Sequence, residues 1–139
     1  MNDVALIGPE VRLALRGDPR LRNLQRFVEQ HLDRALSLSD AAEMTGLERT
    51  YFSRFFRVLT GWTFSTWIRA VRVERATALL RGGRLRILSV ALAVGYNDLT
   101  TFERAFKKCI GVSPRVYRLS CFACACATYA VKEKSRASW

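Results

Sequence analysis

Two stretches of the chain, fifty residues apart, carry the same kind of cation at the same spacing: Arg54 and Arg57 in one, Arg104 and Lys107 in the other. A guanidinium can fork onto the O6 and N7 edge of a guanine or grip a phosphate through paired N–H donors, and an ammonium can neutralise a phosphate as a point charge. Shorter polar side chains stand beside them, Thr50 and Ser53 in the first stretch and Thr100 and Glu103 in the second, with further cations at Arg49 and Lys108. Such a set suits a polyanion with readable edges. A second chemistry is offered by Cys109, Cys121, Cys124 and Cys126, since Cys121-x-x-Cys124-x-Cys126 resembles the spacing of thiolate ligands for zinc or a soft metal. Acid–base catalysis is poorly provided for. His31 is the single histidine, the acids lie mostly in residues 1–48 with no pair suggesting a cleft, and there is neither a phosphate-cradling loop nor a nucleophile elbow. The sequence thus predicts a protein that is not an enzyme.

The charge is concentrated where those cations stand. Of a net +11 over 139 residues, residues 1–48 contribute −2, residues 49–118 contribute +11 and residues 119–139 contribute +2. Local concentration of that size is the electrostatic footprint expected of a nucleic-acid binder. The length fits one ordinary domain or two small subdomains, without a separate effector-binding domain. The first ten residues lack the basic and apolar regions of a secretory signal, and no apolar stretch approaches the ~20 residues of a membrane span. A cytoplasmic protein with reduced cysteines and no membrane partner is expected.

A repeat organises the chain. Sliding it by fifty positions aligns Phe52-x-Arg54-x-Phe56-Arg57-x-x-x-Gly61-x-Thr63-x-x-x-Trp67 with Phe102-x-Arg104-x-Phe106-Lys107-x-x-x-Gly111-x-Ser113-x-x-x-Tyr117. Upstream, at an offset of forty-nine, Ala42 matches Ala91 and Gly46 matches Gly95. Each copy predicts a short helix, a glycine turn and a second helix. Ser37-Leu38-Ser39-Asp40 resembles a capping box, so a helix is expected over 38–45, ended by Gly46 in a left-handed conformation. The alanine four residues before each glycine permits the close crossing of a helix-turn-helix.

At 100° per residue, Phe52, Phe56, Leu59 and Phe55 form one apolar stripe, and Thr50, Ser53, Arg54 and Arg57 lie on the other side. In the second copy the stripe is Phe102, Phe106, Cys109 and Ala105, and the polar side is Thr100, Glu103, Arg104 and Lys107. The apolar stripes belong in a core. Between the copies, residues 63–81 predict one long helix, with Trp67, Ile68, Val71, Leu79 and Leu80 buried and Arg69, Arg72 and Arg75 partly exposed, stopped by Gly82-Gly83. Ser113-Pro114 opens a last helix, and Leu21, Leu24, Phe27, Val28 and Leu32 mark one that covers the first subdomain, with His31 on its surface. No stretch alternates like a strand. The expected fold is all-α: two helix-turn-helix subdomains joined by a long linker helix.

Taken together, Ala91-Leu92-Ala93-Val94-Gly95-Tyr96-Asn97-Asp98 and Phe102-x-Arg104-x-Phe106-Lys107-Lys108-x-x-Gly111-x-Ser113-Pro114-x-x-Tyr117-Arg118 closely resemble the signature of the AraC/XylS family of bacterial transcription regulators. Leu38-Ser39-x-x-Ala42 through Gly46, then Phe52-Ser53-Arg54-x-Phe56-Arg57 and Gly61, resemble that family's first helix-turn-helix. The resemblance implies a seven-helix DNA-binding domain over residues 19–119, divided into a first subdomain (19–62), a linker helix (63–82) and a second subdomain (83–119), with an N-terminal extension (1–18) and a Cys-containing tail (120–139). It implies base reading by Thr50, Ser53 and Arg54 in the first copy and by Leu99, Thr100, Glu103 and Arg104 in the second. Arg49, Arg57, Lys107 and Lys108 are expected on the DNA backbone. The chain resembles the short members that consist of the DNA-binding domain alone. Leu99 and Glu103 depart from the neutral polar residues common there: leucine can meet only a thymine methyl, and glutamate accepts from cytosine N4 but repels phosphate. The expected partner is double-stranded DNA, bound by a monomer through two successive major grooves, with RNA polymerase a further candidate and no cofactor required. The alternatives are a metal- or redox-responsive regulator using Cys109 and the tail cysteines, and a non-specific nucleic-acid binder.

Overall fold

Eight helices run through residues 6–121, the part of the chain that the computed structural model describes: α1 Pro9–Gly17, α2 Pro19–Gln30, α3 Leu38–Thr45, α4 Arg49–Thr60, α5 Phe64–Gly82, α6 Ile87–Ala93, α7 Leu99–Ile110 and α8 over 114–121. No strand occurs among the described residues. The chain divides within α5 into two units, one ending at Val71 and the other continuing from Arg72.

In the first unit, Ser37 caps α3 as its type and position require. Its Oγ accepts the Asp40 N–H at 3.1 Å while the Asp40 carboxylate accepts the Ser37 N–H at 3.0 Å, so two backbone donors of the opening turn are satisfied together. Gly46 ends the helix at φ +74°, a conformation that costs an L side chain strain. The chain then turns back on itself, the Leu47 N–H reaching the Ala42 carbonyl at 2.9 Å. The second unit repeats this turn. Gly95 stands at φ +102° and the Tyr96 N–H reaches the Ala91 carbonyl at 2.9 Å. Ala42 and Ala91 are both buried, the small side chain that lets the two helices of each pair approach.

Aromatic rings fill the first core. Phe56 meets Phe52 at 5.7 Å, Phe64 edge-on at 5.6 Å and Trp67 at 5.6 Å. In the second core Phe106 meets Phe102 at 5.7 Å and Tyr117 at 5.6 Å, and Val90, Val94 and Ile110 are buried. Burial beside the Cys121 thiol, one turn further along α8, raises the Tyr117 hydroxyl from 10.0 to about 12.

Four expectations are corrected. The resemblance implied seven helices, which are α2 to α8; the stretch assigned to an extension holds one more, α1, which buries Val11 and Leu15 and packs against α2 and α4. Two core residues one turn apart, opened by Pro9 and closed before Pro19, are too short a signal for periodicity to reveal. The linker helix starts at Phe64, because the Thr63 hydroxyl accepts the Thr66 N–H at 3.2 Å and caps it. Within it Leu79 is half-buried, while Ala70, Val73 and Ala76 join Leu80 inside. His31 lies just past α2, its Nδ1 3.0 Å from the Phe27 carbonyl and its ring stacked on Phe27 at 4.3 Å.

Candidate nucleic-acid interface

Which way α4 and α7 face is decided by what each buries. On α4 the buried ridge is Phe52, Phe56 and Thr60, and on α7 it is Phe102, Phe106 and Ile110. With Phe52 at zero, these positions span about 0° to 80° around the helix. Leu59, expected on the core stripe, lies about 20° on the other side of Phe52 and is 39% exposed. Its counterpart Cys109 is only half-buried. Both stripes are thus rotated from the sequence-based wheel, because the third inward position is Thr60 or Ile110. The Thr60 hydroxyl can go inside because it donates to the Phe56 carbonyl at 2.8 Å.

The outward ridge follows. On α4 it centres between Arg54 and Val58, with Thr50 and Tyr51 to either side; on α7 it centres between Arg104 and Lys108. Arg49, Thr50, Ser53, Arg54 and Arg57 are all exposed on α4, and Thr100, Glu103, Arg104, Lys107 and Lys108 are all exposed on α7. Thr50, Arg54 and Arg57 thus share one open side of α4, and Thr100, Arg104, Lys107 and Lys108 one open side of α7; Ser53 and Glu103 stand at its edge, about 20° from the buried ridge, and Arg49, in the first turn, is exposed at the azimuth of that ridge. Leu99 differs, being half-buried where α7 begins. Val58 is 80% exposed, the largest exposure of any apolar side chain on either helix, and was not singled out from the sequence.

Each of these helices opens on an acid that sequence reasoning passed over. Glu48 caps α4 by accepting the Tyr51 N–H at 3.1 Å, and Asp98 caps α7 by accepting the Thr101 N–H at 2.8 Å. The two are fifty residues apart, so the repeat itself carried the signal. Hydrogen bonds from the Thr50 and Tyr51 backbone hold the Glu48 carboxyl below its ordinary value of 4.5, and those from Thr101 hold Asp98 below 3.8, with Arg104 adding to the effect. Depressed carboxyl values mean that the caps stabilise the folded helices fully above the ordinary carboxylate range, and that this contribution fades as pH falls through the depressed values. An acid titration of helix content by circular dichroism should show that loss below pH ~4. Asp98→Asn, which keeps a capping oxygen without a proton to gain, should make the second unit less acid-sensitive.

Two half-buried arginines hold the backbone around the second helix pair. Arg72 of α5 donates to the Gly95 carbonyl at 3.4 Å and stands 5.7 Å from the Tyr96 ring centre; burial pushes its guanidinium below the usual arginine value. Arg118 of α8 donates to the Leu85 carbonyl, just before α6. Tyr96 in turn packs on Phe102 of α7 at 5.5 Å. These contacts connect the turn, the core and the outward-facing helix.

Of the cysteines proposed as ligands, Cys109 and Cys121 are half-buried, and Cys124 and Cys126 lie outside the described residues. Among the described residues no group of three or more His, Cys, Asp or Glu side chains could hold a metal ion. Also among them, no helix is long and apolar enough to cross a membrane.

A family model described as a helix-turn-helix domain matches residues 41–120. The chain is 35% identical over 98 residues to the transposon Tn10 TetD protein of Escherichia coli, covering 70% of this chain and 71% of that one. It is 36% identical over 100 residues to the transcriptional regulator Rob of Salmonella typhimurium, covering 72% of this chain but 35% of that longer protein. Among solved structures, the DNA-binding domain of the global transcriptional factor AdpA, in complex with a target DNA, superposes with a TM-score of 0.72 at 26% identity, covering 76% of this chain and 96% of that one.

Proposed function

The chain belongs to the AraC-type helix-turn-helix family, and from that premise we propose that it is a transcription regulator that binds double-stranded DNA sequence-specifically, laying α4 and α7 in successive major grooves. The observation that carries this reading is the duplicated outward ridge. In both copies an arginine, Arg54 or Arg104, stands opposite a buried aromatic pair, with Thr50 or Thr100 one turn before it and a cation, Arg57 or Lys107, three residues after it. A solvated polar face would need no such match between two copies. Arg54 and Arg104 read base edges, with Thr50, Ser53, Thr100 and Glu103 contributing, while Arg49, Arg57, Lys107 and Lys108 hold phosphates. The protein acts without catalysis, in the cytoplasm, as a monomer on an asymmetric site, and RNA polymerase is a candidate partner.

Selection of bound sites from random duplex DNA tests this directly. Two half-motifs one helical turn apart, about 34–36 Å, are expected. A single half-motif would confine reading to one helix, and no enrichment would overturn the proposal in favour of non-specific binding. On the selected site, Arg57→Ala or Lys107→Ala should weaken selected and scrambled DNA alike and reduce the salt slope by about 1. A loss confined to the selected sequence would move those residues to the bases.

A further inference from the structure

We propose that Tyr51 is a specificity-determining residue of α4, its ring held ready for the groove by an ordered stack that α7 does not possess. The proposal rests on the DNA-binding reading above and extends it to a residue outside the expected set. Tyr51 lies in the first turn of α4, about 60° around the helix from Arg54 on the open side. The early residues of a reading helix are those that meet base edges.

Two observations separate Tyr51 from an ordinary surface tyrosine. First, it is 55% exposed, while Phe52 and Phe56 on the same helix are fully buried, so its ring is not needed to fill the core. Second, its orientation is supported. The ring stacks nearly parallel on Phe55, with centres 6.1 Å apart and planes 13° apart. Phe55 lies under the Arg20 guanidinium at 5.1 Å, a contact within cation–π range. Arg20 is itself fixed by a two-point pair with Asp18, at 3.1 Å and 2.9 Å. Asp18 caps α2 through the Arg20 N–H at 2.8 Å, so the stack is anchored to a helix start. A ring held in this way loses little freedom when it meets a ligand, which is where a preorganised contact gains affinity.

The second copy serves as an internal comparison. Tyr51 corresponds to Thr101 and Phe55 to Ala105, and the Thr101 hydroxyl is taken up by the Asp98 carboxylate at 3.0 Å. An aromatic contact is therefore available to the first half-site alone. The chemistry it fits is an apolar one, the ring edge against the C5-methyl group of a thymine, the one apolar feature of the major groove.

The test compares site selections by the full chain, Tyr51→Ala and Tyr51→Phe, with thermal melting of each variant. Tyr51→Ala should lose roughly 5-fold or more of the preference for thymine at one position of the first half-site, leave the position lost in Arg54→Ala unchanged, and spare the second half-site. Tyr51→Phe should retain the preference. Replacing that thymine by deoxyuridine should weaken binding of the unsubstituted protein and leave Tyr51→Ala unaffected. If Tyr51→Ala lowers the melting temperature and weakens all sequences equally, Tyr51 only packs on Phe55 and the proposal is overturned. Sequence selection that is intact but insensitive to both variants overturns it while leaving the DNA-binding reading standing, whereas no enrichment by the unsubstituted chain overturns both.

Discussion

Replacing Arg54 by alanine is expected to weaken binding to the selected DNA site by about 1–3 kcal/mol and to relax preference at one base, most simply a guanine. The expectation follows from where the fold puts the side chain. Phe52, Phe56 and Thr60 turn inward, so Arg54 lies close to the middle of the opposite side of α4 and is exposed. A guanidinium there can offer two parallel N–H donors to one base. Lysine cannot reproduce that fork, so Arg54→Lys should keep general affinity and the salt slope while losing most of the base preference. Isotherms on the selected and a single-base-changed duplex, at one fixed salt concentration, measure both effects. An equal loss on the two duplexes would make Arg54 a phosphate contact and move base reading elsewhere on the ridge.

Replacing Phe56 by alanine should cost about 3–5 kcal/mol of folding stability, a large part of the 5–15 kcal/mol typical of a whole domain. Phe56 is fully buried and its ring meets three other aromatic rings, those of Phe52, Phe64 and Trp67. Removing it leaves a void that rigid ring systems cannot collapse into. Phe106, its counterpart, meets only the rings of Phe102 and Tyr117 among the ring contacts described, so Phe106→Ala should fall at the lower end of the same range. Denaturant unfolding of both variants tests the ranking through the midpoint at constant slope. A loss under 1 kcal/mol for Phe56→Ala would contradict the core described here. DNA binding by the Phe56 variant should fall with the folded fraction, because the same ridge that buries Phe56 aims Arg54 outward.

Much of the architecture was legible because its signals are local. Ser37 with Asp40 announces a helix start, Gly46 and Gly95 announce left-handed ends, and the fifty-residue offset pairs each candidate position with its counterpart. The placement of the candidate residues on open helix surface was legible as well. Arg54, Arg57, Arg104 and Lys107 are named by the repeat and are exposed together on their helices. What escaped was either too short or too distant. Helix α1 offers two buried residues one turn apart, below what a periodicity can distinguish from chance. The anchors Arg72 and Arg118 act on carbonyls 23 and 33 residues away, and nothing in the intervening sequence links them.

The cations that first drew notice were determined by the sequence alone: their number, their fifty-residue repetition and their place on two helices follow from residue type and spacing, because helix geometry is a local property of the backbone. Their exact aim was not. Leu59 and Thr60 sit side by side, and hydropathy favours leucine for the core, yet the fold buries Thr60 and leaves Leu59 partly exposed. That choice depends on which neighbouring helices cover which side of α4, and on a carbonyl within reach of the Thr60 hydroxyl. Only the tertiary packing supplies those, and in doing so it turns the ridge toward Arg54, Val58 and Tyr51.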